Sequence, residues 1–266
     1  MEIDLCPEVR CLLLSAGLGS RLRPFTDYLP KCLMPIAGKP LLEIWLDILD
    51  SLKIKKILVN LHYKPELVLE FLKRPKFKDR IETVFENKLL GTAGTLRENY
   101  SYFKGRRTLL IHGDNLCICK FANFIDYHFR FRAKQTLITM MTFRTSAPQT
   151  CGIVELDSAG IVQKFHEKVK NPPGNLANAA IYLLEPEVLE WINDRSDVSD
   201  FSTQLLPFFL GKIATWNNSE IMRDIGSPES LRLAQKDVTF QAEEPLDDWQ
   251  INYKKHPIHN LIFSKV

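Results

Sequence analysis

Short apolar runs and amphipathic stretches alternate along the first half of the chain. Cys11–Ser15, Lys56–Leu61, Ile81–Phe85 and Thr108–His112 are short runs that read as strands, and Cys11 to Leu14 reads as a buried one. Between them, Leu41 to Leu52 places Leu41, Leu42, Trp45, Ile48, Leu49 and Leu52 on one helical face, and Pro65 to Leu72 begins with proline at a favourable first-turn position. Repeated strand–helix–strand units predict an α/β fold with a doubly wound, mostly parallel sheet covered by helices on both faces.

The pattern changes after Asp114. Phe121 to Phe131 reads as an aromatic-rich helix and Thr136 to Phe143 as a strand. Ile153–Leu156 and Ile161–Phe165 flank Asp157-Ser158-Ala159-Gly160, a hairpin signal, and Ala180–Leu184 is a further strand before a helix over Pro186–Ile192. Antiparallel additions of this kind make the sheet mixed. Asp200 opens a short helix through Pro207, and Ser227-Pro228-Glu229 starts another that runs to about Val238. From 239 to 266 the chain is polar with scattered Trp249, Tyr253, Ile258, Leu261 and Phe263, a C-terminal tail to which the pattern assigns no place.

Size and charge narrow the class. A chain of 266 residues can bury a large core in one domain. Its 35 basic and 32 acidic residues leave +3 without long like-charge blocks, which argues against nucleic-acid and membrane-surface partners and for a small anionic ligand. The six cysteines (Cys6, Cys11, Cys32, Cys117, Cys119 and Cys151) form no Cys-x-x-Cys pair, so Cys117-x-Cys119 reads as ordinary packing. Met1 to Pro7 has no signal-peptide character and no apolar run approaches a membrane span, so a reduced, cytoplasmic setting is expected.

The chemistry concentrates near the start. After the first strand, Gly17 and Gly19 remove side chains where a polyanion would approach backbone N–H groups. Arg21 adds a forked cation and Lys31, after Pro30, a compact one. Neither familiar phosphate loop fits. The Gly-Lys pairs, Gly38-Lys39 and Gly211-Lys212, lack the upstream glycine and following hydroxyl of a P-loop, and Leu22 stands where a dinucleotide fingerprint needs its third glycine.

Ser15-Ala16-Gly17-Leu18-Gly19-Ser20-Arg21-Leu22-Arg23-Pro24-Phe25-Thr26, then Pro30-Lys31 and Pro35-Ile36-Ala37-Gly38-Lys39-Pro40, resembles the opening motif of the sugar-1-phosphate nucleotidylyltransferases. Ser15 and Phe25 are mild departures, and the resemblance extends over roughly residues 10 to 238. It is nearest to mannose-1-phosphate and D-glycero-D-manno-heptose-1-phosphate guanylyltransferases. It implies a Rossmann-like, single-domain nucleotide-diphospho-sugar transferase fold over residues 8–238, with a nucleotide-binding half at about 8–120 and a sugar-binding half at about 121–238. The remainder is too short for the left-handed β-helix of several relatives, and oligomeric state stays open.

The same resemblance implies the site. Nucleotide contacts fall on Leu14, Ala16, Gly17, Gly19, Ser20, Arg21, Lys31, Glu86, Gly91, Thr92 and Asp114. Arg21 would hold the β- and γ-phosphates and Lys31 would stabilise charge near the reacting ones. Asp114, directly after an apolar strand, and Asp224, in Arg223-Asp224-Ile225-Gly226, match the family's two metal-binding aspartates, and Mg2+ needs only one or two such carboxylates. Arg21, Lys31, Asp114, Lys168 and Asp224 form the implied catalytic set. In Glu86-Asn87-Lys88-Leu89-Leu90-Gly91-Thr92-Ala93-Gly94, Glu86 would accept from guanine N1–H and N2–H, while Thr92 would cap the next helix. Sugar contacts fall on Gly152, Glu167, Lys168 and Asn178. The usual glycine after that asparagine is taken to be replaced by Ala179, which would crowd the sugar pocket. The expected reaction joins an NTP, GTP by preference, to a sugar 1-phosphate with loss of pyrophosphate. Alternatives are a uridylyltransferase for glucose or amino-sugar 1-phosphates, and a non-catalytic sensor of nucleotide-sugars.

Overall fold

The computed structural model describes residues 9–77, 80–241 and 245–264; Cys6 and the expected first domain residue, Glu8, lie outside them. From the start run β1 (Val9–Leu14), the short paired strands β2 (Pro35–Ile36) and β3 (Lys39–Pro40), α1 (Leu41–Ser51), β4 (Ile57–Leu61) and α2 (Pro65–Leu72). Then come β5 (Ile81–Phe85), α3 (Thr92–Glu98), α4 (Tyr100–Phe103), β6 (Arg107–His112), β7 (Asn115–Ile118) and α5 (Phe121–Asp126). The second half holds β8 (Ile138–Arg144), β9 (Gly152–Leu156), β10 (Val162–Glu167), β11 (Leu176–Leu184), α6 (Pro186–Asn193), β12 (Ile213–Asn218) and β13 (Ile221–Asp224). α7 (Pro228–Asp237), α8 (Asp248–Lys254) and α9 (Ile258–Leu261) follow.

One nine-stranded sheet has the order β10-β9-β11-β6-β1-β4-β5, with β8 also paired to β11 and β12 to β8. β6, β1, β4 and β5 are all parallel. β11 turns the sheet mixed by running antiparallel to β6, β8 and β9. This is the expected Rossmann-like α/β architecture.

Strand periodicity distributes the core over two faces. Cys11, Leu13, Leu109, Ile111, Ile181 and Leu183 face the cluster under α1, whereas Leu12, Leu110, Tyr182 and Leu184 face the cluster under α3 and α6. In α1, Leu41, Leu42, Trp45 and Leu49 are buried on the predicted face. The expected helix from Phe121 begins as α5 and continues as a wider π-turn over Tyr127–Phe131. The stretch after Asp200 is likewise a π-turn and a 3-10 turn, with Asp200 Oδ1 accepting from Thr203 N at 2.7 Å.

The C-terminal segment packs into the main core. Tyr253, Ile258 and Ile262 belong to the cluster under α1, and the Tyr253 hydroxyl donates to Leu33 O at 2.7 Å. Asp247 and Gln250 form a capping box that starts α8. Arg74 joins the segment to the body: it donates to both Glu43 oxygens, at 2.6 and 3.2 Å, and to Asp247 Oδ2 at 2.7 Å. Its guanidinium also lies over the rings of Phe71, Phe77 and Trp249.

Candidate active site

Parallel strands deliver their carboxyl ends to one edge of the sheet, where ligands of open α/β folds bind. Leu14 at the end of β1 is in register with His112 at the end of β6. Gly113 then folds against β1, its N donating to Leu14 O at 2.9 Å. A Cβ on Gly113 would meet Leu13 Cδ1 at 2.8 Å and Ser15 Oγ at 3.1 Å, so the turn that presents Asp114 requires glycine.

Two cavities meet at this wall. One is lined by Leu14, Ala16, Gly17, Asn60, Glu86, Leu89, Gly91, Thr92, Thr95, His112 and Asp114. The other is lined by Arg21, Gly152, Glu167, Lys168, Asn178, Ala180, Ser202 and Asp224, and again by His112 and Asp114. Of the residues assigned to nucleotide, Leu14, Ala16, Gly17, Glu86, Gly91, Thr92 and Asp114 line the first cavity, whereas Arg21 lines the second beside Gly152, Glu167, Lys168 and Asn178. Gly19, Ser20 and Lys31 line neither cavity. Gly19 has φ 60°, and a Cβ there would meet Thr26 Cγ2 at 2.8 Å, so it shapes the turn that carries Arg21.

Lys31 occupies the junction. Its side chain is only 5% exposed, and its Nζ lies 2.9 Å from Asp114 Oδ2 and 3.0 Å from Asp224 Oδ1. Asp224 reaches it because β13 pairs antiparallel with β7, setting Asp224 opposite Asn115. A Cβ on Gly226 would come within 2.8 Å of Asp224 Oδ1 and 2.9 Å of Arg21 Nη2. The exposed Arg21 reaches Asp224 Oδ2 at 3.5 Å. Burial opposes ionisation of Asp114, but the Lys31 charge and the hydrogen bond between them outweigh it and hold the carboxyl below its usual range. Burial lowers the His112 pKa, leaving a neutral imidazole at pH 7.

Glu86 is held in the cavity lining by internal donors. It is 3% exposed, and its Oε1 accepts from Asn60 Nδ2 at 2.8 Å and Thr95 Oγ1 at 2.6 Å, while Oε2 accepts from Leu90 N at 3.1 Å. Internal donors therefore take most of its acceptor capacity, and the carboxylate braces the cavity floor. Asn60, absent from the sequence-based site, completes the brace by accepting from Ser15 N at 2.7 Å. An asparagine inside the otherwise apolar, fully buried β4 was the available signal.

Thr92 does not cap α3. The N-cap is Gly91 (φ 79°), and the carbonyl of Ser199 accepts instead from Ala93 N at 2.9 Å and Gly94 N at 3.1 Å. Thr92 Oγ1 accepts from Phe201 N at 2.8 Å. Gly91 is required because a Cβ would lie 2.4 Å from Ser199 O.

In the second cavity, Lys168 Nζ lies 3.2 Å from Glu167 Oε1 and is largely exposed. Gly152 admits no Cβ, which would fall 2.4 Å from Phe165 Cζ and 2.7 Å from Glu167 Oε2. The crowding expected at Ala179 is misplaced by one residue. Ala179 is 1% exposed and packs in the core under α1, whereas Ala180 lines the cavity. The shift follows from the break in β11 register between Asn178 and Tyr182.

A mannose-1-phosphate guanylyltransferase of Arabidopsis thaliana is 32% identical over 193 residues, 70% of this chain and 53% of the relative. The mannose-1-phosphate guanylyltransferase of Mycobacterium tuberculosis is 29% identical over 236 residues, 87% of this chain and 65% of the relative. The chain thus spans about half to two-thirds of the length of these curated relatives. Among solved structures, a Bacillus anthracis chain named for glucose-1-phosphate thymidylyl transfer, in complex with a sucrose, has a TM-score of 0.77 at 21% identity, covering 92% of this chain and 99% of that one. HddC from Yersinia pseudotuberculosis complexed with GMP-PN has a TM-score of 0.70 at 23% identity, covering 85% and 98%. The protein-family model for nucleotidyl transferase matches residues 10–241, and the chain belongs to that family.

Proposed function

We propose that this protein transfers GMP from GTP to mannose 1-phosphate or heptose 1-phosphate, releasing pyrophosphate, with Mg2+ as cofactor. The observation that carries the reading is the buried Lys31 ammonium held between Asp114 and Asp224 where two cavities meet. The names of the Arabidopsis and Mycobacterium relatives support GTP and mannose 1-phosphate.

Nucleotidyl transfer requires positioning and charge neutralisation more than covalent chemistry. The sugar-phosphate oxygen attacks the α-phosphorus, the bond to the bridging oxygen breaks, and pyrophosphate carries away the negative charge. Gly17 and Ala16 leave room for the nucleotide, Arg21 faces the departing phosphates, and Lys31 stabilises charge at the reacting group. Lys168 holds the sugar phosphate, with Glu167 and Asn178 beside the sugar hydroxyls. No general base is needed, because the nucleophile is already ionised. Asp114 and Asp224 fit Mg2+: they are hard oxygen donors, one from the turn after β6 and one from the end of β13, that converge on one cationic centre. When bound, the ion would neutralise polyphosphate charge. A cytoplasmic location accords with this chemistry.

Pyrophosphate release measured for four NTPs against a panel of sugar 1-phosphates tests the reading. GTP with mannose or heptose 1-phosphate should give the highest kcat/KM, and excess chelator should abolish turnover. Preference for UTP, or full activity in chelator, would overturn it.

The bracing of Glu86 gives a second expectation. Glu86→Gln turns an amide N–H toward Asn60, Thr95 or Leu90 N, which leaves donors facing each other. The variant should lose about 1–3 kcal/mol of stability and show a raised KM for every NTP, with the KM for sugar phosphate little changed. Chemical denaturation and steady-state kinetics check it; a selective loss of GTP alone would instead make Glu86 a reader of the base.

A further inference from the structure

Ala180 stands in the middle of β11 with φ 56°, in the left-handed region that glycine adopts without the steric penalty of a side chain. The pairing of β11 with β8 shifts register between Asn178 and Tyr182, and Asn178 fastens the distortion. Its Oδ1 accepts from Ala180 N at 2.9 Å, and its Nδ2 donates to the Tyr182 hydroxyl at 2.6 Å. Tyr182 is fully buried against Phe201, so the bulge is anchored in the core. The distortion makes residue 180 part of the cavity wall, beside Gly152, Glu167 and Lys168. Gly152 is itself pressed by Phe165 and Glu167, which fixes the wall formed by that strand pair.

We propose that Ala180 is a specificity-determining residue whose methyl limits the size of the sugar accepted. It admits a plain hexose 1-phosphate and disfavours one that carries an acetamido group. This inference rests on the sugar 1-phosphate reading above. Glycine would relieve the backbone at this position, whereas the alanine methyl takes up space in the cavity wall.

The test measures kcat/KM and calorimetric affinity for mannose 1-phosphate, a heptose 1-phosphate and a 2-acetamido-2-deoxyhexose 1-phosphate in wild type, Ala180→Gly and Ala180→Ser. In the glycine variant the ratio of acetamido sugar to mannose 1-phosphate should rise roughly tenfold or more, with the GTP KM unchanged and the melting temperature equal or higher. The serine variant should raise the KM for every sugar phosphate and leave that for GTP alone. An unchanged ratio in an active Ala180→Gly enzyme overturns this inference only, as does a wild type that prefers the acetamido sugar. Failure of Ala180→Gly to fold would overturn the assignment of residue 180 as a left-handed position. A wild type that neither binds nor turns over any of the three with any NTP overturns the functional reading, and this inference with it.

Discussion

Lys31→Ala is expected to lower kcat/KM by about 10²–10³-fold, the range seen when one preorganised electrostatic group is removed from a reacting centre. The variant should stay folded, because Asp114 and Asp224 are 42% and 53% exposed at their side chains and water can replace the ammonium. The titration of Asp114 is the more specific readout. In the metal-free wild type the Lys31 charge outweighs desolvation and holds the Asp114 carboxyl below the usual aspartate range. In metal-free Lys31→Ala the Asp114 carboxyl should titrate at higher pH, read by NMR of the side-chain carboxyl. A variant with near-normal kcat/KM, or with an unshifted Asp114 titration, would remove Lys31 from the reacting centre.

Arg74→Leu is the substitution expected to cost most stability. Arg74 and Glu43 are 3% and 1% exposed at their side chains, and removing one partner of a buried pair typically costs about 3–5 kcal/mol. Lys76, 3.1 Å from Glu43 Oε1, compensates in part, yet Asp247 also loses its partner and Trp249 and Phe71 lose the cation between them. Urea unfolding should show a lower midpoint, and limited proteolysis should cut first near α8. A loss below about 1 kcal/mol, the value of an exposed pair, would mean that the C-terminal segment is held by its apolar contacts alone.

The parallel half of the sheet was legible because β1, β4 and β6 are local apolar runs, buried along most of their length, with β5 at the exposed edge. β7 and β13 were not. Each has four residues, and they pair with each other across more than a hundred positions, so no local pattern marks them even though they bring Asp224 to Lys31. The motif names residue types at the site and leaves out their environments. Glu86 lies where the motif puts it, but Asn60 and Thr95 arrive from other elements and occupy its oxygens. Two adjacent alanines look alike in sequence, and only the bulge decides that Ala180 meets the cavity while Ala179 meets the core. The C-terminal segment carried a signal in its i, i+4 spacings, Trp249 with Tyr253 and Ile258 with Ile262, diluted by polar residues between.

The wall of His112 and Asp114, common to both cavities, has a stereochemical consequence. Two substrates resting on opposite sides of one turn can occupy it together, with attacking and departing oxygens on opposite sides of phosphorus. In the proposed reaction the nucleotidyl group would then pass between them in one displacement, never parked on the protein, and the handedness at phosphorus would invert.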